Sequence, residues 1–368
     1  MPKIPFTLGI EEEYQIIDPE TRELTSYIQE FLERGRVVLK DQIKPEFLQS
    51  QVEVGSTICH SIEQAREELV RLRHTVFQVA DSAGLGVAAA STHPFSSWTT
   101  QRITAGERYT KHEAKMAEVA RRLLIFGMHV HVGIEDKELL IDVMDQARYF
   151  LPHLLALSTS SPLWHGRDTG LKSYRSVIFE SVPRSGLPPG FESWHEYQQF
   201  VQTLIATHCI EDGTHIWWDV RPHWKLPTLE FRVTDICTRV DDAICLAATI
   251  LAIVTKLIRL RRTNQSWRRY RHHLITENKW RAVRFGIEGR LIDFGKQEEV
   301  PFPDLALEIL AWVDDVVDDL GVRREVEHIR TILKEGTSAD RQLKVFRETG
   351  ELTAVVDHLI RETRAGVC

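Results

Sequence analysis

Several short segments of this chain alternate aliphatic and reactive side chains with a period of two, the spacing at which a β-strand sends successive residues to opposite faces. From Phe6 onward, Leu8, Ile10, Tyr14 and Ile16 share one face while Gly9, Glu11, Glu13 and Gln15 share the other. From Ile125, the residues Phe126, Met128, Val130, Val132 and Ile134 form an apolar face opposite Gly127, His129, His131 and Gly133. Val52 and Val54 oppose Gln51, Glu53 and Gly55, with Glu46 a short step upstream. Leu229, Phe231 and Val233 oppose Glu230 and Arg232, and just before them Trp218 and Val220 oppose Trp217, Asp219 and Arg221. A solvated sheet surface would favour Lys, Thr and Ser with mixed charges, whereas these faces set Glu, His and Arg beside Gly, which leaves room for a ligand against the backbone. The pattern predicts an antiparallel sheet in an α+β protein, with one face on helices and the other forming the floor of an active site.

Long helical patterns separate the strands. Ser61-Ile62-Glu63-Gln64 has the form of a capping box, and Ile62, Ala65, Leu69, Leu72, Val76, Ala80 and Ala83 follow at helical spacing until Gly84. Further helices are predicted over Glu107 to Leu124, Asp136 to Leu157, Trp194 to Thr207, Asp241 to Arg262 and the tail after Pro303. No repeat or low-complexity linker divides the 368 residues, so one domain over 1–368 is expected, with a helical C-terminal portion over about 303–368.

Composition narrows the function classes. With 46 Lys+Arg against 53 Asp+Glu the formal charge is −7, which argues against nucleic acid or an anionic membrane as a partner for the whole surface. The apolar run from Ala243 to Thr255 is shorter than the ~20 residues of a membrane helix and reads as a buried core helix. Met1 to Pro5 contain no apolar signal region, and the five cysteines form no CxxC pair, so a reduced, cytoplasmic setting is expected. Cys59, Cys237 and Cys245 lie among apolar residues and read as small hydrophobes.

Carboxylates two apart on a strand point the same way at ~7 Å spacing, close enough for neighbouring hard cations. Glu11, Glu13, Glu53, Glu230 and His129 form a mostly oxygen set that suits Mg²⁺ or Mn²⁺ better than zinc. Arg232 and Arg221 on the same faces point to phosphate or substrate carboxylate. No glycine-rich phosphate loop is present, so a nucleotide would be held by cations and arginines on the sheet. His129 and His131 also fit the metal pair of an amide hydrolase, and His131 reads equally as a ligand or as a packed neighbour of one. Asp219 and Arg221 read equally as an ion pair or as substrate contacts.

These segments together carry a resemblance. Gly9-Ile10-Glu11-Glu12-Glu13-Tyr14, Gln51-Val52-Glu53, Gly127-Met128-His129-Val130-His131-Val132-Gly133 and Leu229-Glu230-Phe231-Arg232 resemble, in order and spacing, the glutamine synthetase and glutamate–cysteine ligase superfamily. Within it the chain is similar to the carboxylate–amine ligase branch, the bacterial glutamate–cysteine ligase type 2 family. Supporting segments are Ser91-Thr92-His93-Pro94-Phe95, Lys172-Ser173-Tyr174-Arg175-Ser176, Trp218-Asp219-Val220-Arg221-Pro222-His223, Glu277-Asn278-Lys279-Trp280-Arg281 and Gly336-Thr337-Ser338-Ala339-Asp340-Arg341-Gln342.

The resemblance implies a curled antiparallel sheet of about six strands, with helices on its convex side and an ATP site on the other. It places metal ligands at Glu11, Glu13, Glu53, His129 and Glu230, and phosphate-facing groups at Arg232, Arg175 and Lys172. Arg221 is assigned to substrate, and Glu46 is the candidate base for an incoming amine. Apart from the resemblance, the polar, turn-rich loop from Ser91 to Arg108 reads either as an ordinary surface connection or as a lid closing on the acceptor amine, which makes His93 and Arg108 substrate candidates. The implied reaction uses ATP and Mg²⁺ to activate a carboxylate, expected to be the γ-carboxylate of glutamate, and joins it to an amine such as cysteine. A guanidino kinase, an amide hydrolase using His129 and His131, and a non-catalytic metabolite- or RNA-associated protein are the alternatives. The partners expected are small molecules, in a chain compatible with a homodimer. The basic run Lys256, Arg259, Arg261, Arg262, Arg268, Arg269, Arg271, His272 and His273 reads as a solvated face at a helix end, with partner binding the weaker reading.

Overall fold

A computed structural model describes residues 6–367; the readings made on Met1 to Pro5 and on Cys368 lie outside them. The alternating segments form one antiparallel sheet: β1 (Leu8–Ile17), β2 (Ile43–Pro45), β3 (Gln51–Gly55), β4 (Gly86–Ala88), β5 (Met128–Gly133), β6 (Val220–Pro222) and β7 (Thr228–Phe231). The order is β6-β7-β5-β1-β3-β2, with β4 pairing the far end of β1. The sheet thus has seven strands where about six are implied, because three-residue β4 adds to the end of β1 through Gln15, Ile16 and Ile17.

Register turns sequence alternation into lateral rows. Lys44 on β2 pairs Glu53 on β3, which pairs Glu13 on β1. One step along, Gly55 pairs Glu11, and Glu11 pairs His129 on β5. In the next row Gly9 pairs His131, His131 pairs Glu230 on β7, and Glu230 pairs Arg221 on β6. The apolar partners, among them Ile10, Val54, Val130 and Phe231, are buried on the other side.

That apolar side is covered by α2 (Ile62–Ser82) and α9 (Val240–Arg262), which also pack on each other. Ser61 caps α2 through Gln64 N at 3.1 Å, but the Gln64 side chain accepts from His60 N at 2.8 Å rather than from Ser61 N, so only half of the predicted box closes. α9 is long and apolar enough to cross a membrane by length and composition, but its residues from Ala243 to Thr255 are buried in the core. Two predicted helices are interrupted. The first becomes α3 (Glu107–Met116) and α4 (Glu118–Arg121), divided at Ala117 with φ 48°. The second becomes α5 (Lys137–Ala147) and α6 (Leu151–Ser158), joined by a 3₁₀ turn over Arg148–Phe150, with Pro152 in the first turn of α6 where its missing N–H costs no bond. α7 (Tyr174–Phe179), α8 (Trp194–Ala206) and α10 (His272–Phe285) follow the expected course or lie between it. The tail is helical from 302 on: α11 (Phe302–Leu320), α12 (Arg323–Glu327), α13 (Ile329–Glu335), α14 (Ser338–Thr349) and α15 (Leu352–Arg364).

The basic run is largely pinned to acids. Lys256 and Arg259 reach Asp315 and Asp319 at 2.6 Å, and Arg269 reaches Asp142 at 2.6 Å and Asp145 at 2.9 Å. Its two aromatics, Trp267 and Tyr270, pack on Tyr149 with ring centroids 5.5 and 5.3 Å away, so they are spent on the fold rather than offered to bases.

Candidate active site

The polar face of the sheet floors a cavity of ≈ 580 Å³. Glu11, Glu13, Glu46, Glu53, Arg108, His129, Arg175, Arg221, Glu230 and Arg232 all line it, so ten of the sequence-predicted site residues meet at one place. His93 and Lys172 do not. His93 is fully buried, with Nε2 on Arg22 O at 2.9 Å and Nδ1 accepting from Phe95 N and Ser96 N at 3.2 and 2.9 Å. It closes a turn, and burial pushes its pKa to about 3, which keeps it neutral. Lys172 is drawn away by Glu288 at 2.7 Å and by Asp340, acids that arrive from the C-terminal region.

Two ligand groups stand side by side on the floor. Glu13, Glu46 and Glu53 offer carboxylate oxygens within 4.8 Å of one another, and Glu11, His131 and Glu230 form a second group within the same distance. Burial raises the pKa of Glu13 to about 7, helped by Glu53 and opposed by Arg175. Burial and like charge raise Glu53 and Glu46 as well. Three crowded oxygens whose ionised forms are disfavoured make a site that added positive charge stabilises, and an all-oxygen set suits a hard divalent cation. Lys44 Nζ bridges the two groups, donating to Glu53 at 3.0 Å and to Glu11 at 3.4 Å.

The second group is electrostatically different. Burial pushes Glu230 up, but Arg221 at 2.9 Å and Arg232 at 2.5 Å outweigh it and hold the carboxyl well below its usual range. Glu11 is likewise held low despite burial, by His131 and His129. The two imidazoles are shifted in opposite directions: burial and the neighbouring Arg232 push His129 to about 4, whereas Glu11 and Glu230 raise His131 against its own burial. His129 Nδ1 lies 3.2 Å from Glu11 and 3.4 Å from Arg232. His131 Nε2 is buried without a hydrogen bond and lies 3.6 Å from Glu11.

Arg175 roofs one end of the floor. It donates to Arg232 O at 3.2 Å, and its guanidinium and that of Arg232 lie over Phe179 at 5.6 and 6.0 Å. Gly127 makes this approach feasible, since a Cβ there would sit 2.7 Å from Arg175 Nη2 and 3.3 Å from His129 Nε2. Buried Asp235, 3.9 Å from Arg175, is fixed by Ser160 N, Ser161 Oγ and Ser173 Oγ at 2.8–2.9 Å. The Asp219–Arg221 ion pair does not form: Asp219 takes buried Lys279 at 2.6 Å, and Arg221 takes Glu230. Lys44 and Asp235 are invisible to pattern reading because each sits on a short or irregular segment, and Lys279 because it lies on α10, away from the strands whose alternation marks the site; only the register of Lys44 with Glu53 reveals its place.

A sheet with carboxylate and imidazole rows on one face, arginines above them and helices behind defines the glutamine synthetase-like class of fold. The crystal structure of a glutamate–cysteine ligase from Francisella tularensis in complex with AMP is similar, with a TM-score of 0.71 at 14% identity, over all of this chain and 90% of that one. A bifunctional glutathione synthetase from Pasteurella multocida also gives 0.71, at 15% identity over 99% of this chain and 53% of that one. Sequence relatives are nearer. A protein of Herpetosiphon aurantiacus whose name marks it as an inferred glutamate–cysteine ligase 2 is 56% identical over 366 residues, covering all of this chain and 95% of the relative. A Chloroflexus aggregans protein of the same name is 57% identical over 362 residues, covering 98% and 93%. The family model "Glutamate-cysteine ligase family 2(GCS2)" matches residues 7–358, and the chain belongs to that family.

Proposed function

We propose that this chain is an ATP-dependent carboxylate–amine ligase, needing Mg²⁺ or Mn²⁺, that converts the γ-carboxylate of glutamate to an acyl phosphate and joins it to an amine, releasing ADP and phosphate. The observation that carries this reading is the pair of adjacent ligand groups, Glu13/Glu46/Glu53 and Glu11/His131/Glu230, beneath Arg175, Arg221 and Arg232. A carboxylate is a poor electrophile until its oxygen becomes part of a phosphate leaving group, and two anions must approach for that to happen. Bound Mg²⁺ or Mn²⁺ supplies positive charge between them. Glu11, Glu13, Glu53, Glu230 and His129, with His131 beside Glu11 and Glu230, would hold that charge.

Arg232 and Arg175 stabilise the transferring phosphoryl group, placed there by Glu230, Asp235 and the Gly127 gap. Arg221 holds Glu230 ionised and faces substrate from the sheet edge. Glu46, held in a pocket that raises its pKa, receives the proton of the attacking ammonium. The enzyme acts on small molecules, in the cytoplasm, with a homodimer as the assembly to look for. Membership of the ligase family disfavours the guanidino kinase and amide hydrolase alternatives.

The test is ATP-dependent phosphate release with Mg²⁺, glutamate and a panel of amines. Release should require both a carboxylate and an amine, and Glu11→Gln should lower it at least ~100-fold, a loss of about 2.7 kcal/mol of transition-state stabilisation. Amide hydrolysis without ATP would overturn the assignment.

A further inference from the structure

α3 crosses the cavity like a beam. At one end Tyr109 Oη donates to Pro45 O at 2.7 Å, on the β2 edge, and the Tyr109 ring meets Phe47 at 6.1 Å. Toward the other end the His112 ring lies 5.4 Å from His215 and 5.8 Å from Trp217, beside the β6 edge, and Lys115 pairs with Glu211 at 3.0 Å. None of the residues of α3 is buried, so the helix contributes little to the core. Arg108, Tyr109, His112 and Met116, spaced at one helical face, are the ones that line the cavity.

Two features of this roof are unspent. Arg108 makes no ion pair among the described residues; its guanidinium lies 5.9 Å from the ring of Tyr109, which is itself bonded to Pro45 O next to Glu46, and both Arg108 and Glu46 line the cavity. His112 Nε2 is buried with no hydrogen-bond partner. Beyond them the wall turns apolar, with Met116, Leu123, Val182 and Trp217. A cation on the roof and a carboxylate on the floor line the same cavity, which is the charge pattern that receives a zwitterion, and Trp217, 5.8 Å from the His112 ring, and Met116 on the same face of α3 give it apolar surface.

We propose that α3 reads the acceptor, and that the acceptor is an α-amino acid with a large apolar or aromatic side chain: its carboxylate on Arg108, its ammonium toward Glu46, and its side chain against His112, Met116 and Trp217. The inference rests on the ligase reading and deepens it. In the step it describes, the acceptor nitrogen, deprotonated as the ligase reading requires, bonds to the acyl carbon, and the bond from that carbon to the phosphate oxygen breaks, releasing phosphate. Arg108 positions the acceptor and takes no part in the bond changes.

Hydroxylamine separates the two readings, because it traps an activated glutamyl group without needing an acceptor pocket. With ATP, Mg²⁺ and glutamate, phenylalanine, leucine or methionine should exceed cysteine and phenethylamine at least ten-fold in kcat/KM. Arg108→Gln should raise KM for the preferred amino acid ten-fold or more, at least five times more than it lowers the rate with phenethylamine or hydroxylamine. Trp217→Ala should reduce the preference for phenylalanine over alanine. Cysteine or glycine as best acceptor, equal damage to hydroxamate formation by Arg108→Gln, or a raised KM for ATP in Trp217→Ala would each overturn the proposal. Absence of hydroxamate from the unaltered protein would overturn the ligase reading instead.

Discussion

At Glu13 the chemistry of the site is written into the stability of the fold. Its carboxyl, near Glu53 and Glu46, is raised by burial to about 7 from an ordinary value of 4.5. The folded state therefore binds a proton that the unfolded chain has released, and between pH 5 and 7 stability falls as pH rises, then levels off. The whole shift corresponds to at most about 3 kcal/mol. Glu53, Glu46 and His131 move the same way, whereas Glu11 and Glu230 are lowered, so their contribution is present above the ordinary carboxylate range and is lost only in acid. Denaturant titrations of metal-free protein and of Glu13→Gln from pH 5 to 8 should differ by this decline, because His93 and His129, lowered to about 3 and about 4, add stability as pH rises to the ordinary histidine range in both proteins. Added Mg²⁺ should stabilise the unaltered protein more than Glu13→Gln at pH 7 and above. Parallel profiles for the two proteins would contradict this electrostatic account. Glu11, Glu13, Glu53, His129 and Glu230 were legible because a period of two assigns a face without tertiary knowledge. His93 misled because a histidine on a polar loop looks the same whether it faces a ligand or, as here, accepts two backbone N–H groups. Lys44 was illegible because a three-residue strand is too short to display alternation.

Elements behave as the sequence predicts where a cap and a long apolar stripe coincide, as in α2, and depart from it where neither marks a break. Nothing in the run from Glu107 to Leu124 announces the left-handed Ala117 that frees α3 to cross the cavity. The joint between β1 and α2 was hidden for a related reason: Glu12 shares the apolar face of Ile10 and Tyr14, where alternation predicts an aliphatic residue. Its charge is met by Arg73 of α2, whose Nε and Nη2 donate at 2.9 and 2.5 Å, and Tyr14 Oη donates to the same carboxylate. Arg73 also donates to Thr238 O and Cys237 O at 2.7 and 2.9 Å, so one fully buried guanidinium fastens the strand that carries Glu11 and Glu13 to the chain entering α9. Removing either charge strands the other in the core, at a cost of about 3–5 kcal/mol. Arg73→Met and Glu12→Leu should each lower stability by that order, and the two combined should cost clearly less than the sum of the single changes. Additive losses in a double-mutant cycle would mean that the pair is not coupled.

On the scale of the whole chain, the C-terminal helices are wired into the segments that hold the site. Ala339 N donates to Thr159 O at 3.0 Å, Gln342 Nε2 to Ser160 O at 2.8 Å, and Thr238 and Ser338 share a bond at 2.6 Å. Ser160 and Ser161 in turn fix Asp235, which faces Arg175. Arg341 bonds Asp242 at the start of α9, and Thr363 Oγ1 accepts from Ala89 N at 3.0 Å next to β4. The cap of α14 belongs to the same network, because Asp340 both completes the capping box with Thr337 and binds Lys172. Phe302, Leu305, Val313 and Val317 of α11 are buried as well, so cutting at residue 301 would expose apolar core, take Asp340 from Lys172 and leave Asp242 without Arg341 and His328. The reading of 1–368 as one domain then has a direct consequence: unfolding should be a single cooperative transition, with the same midpoint by near-ultraviolet circular dichroism and by the fluorescence of Trp217 and Trp218 beside the cavity. A chain ending at residue 301 should lack that transition. Two resolved transitions, or a truncated chain that still unfolds cooperatively, would divide the molecule into units and detach the helical tail from the support of Arg175.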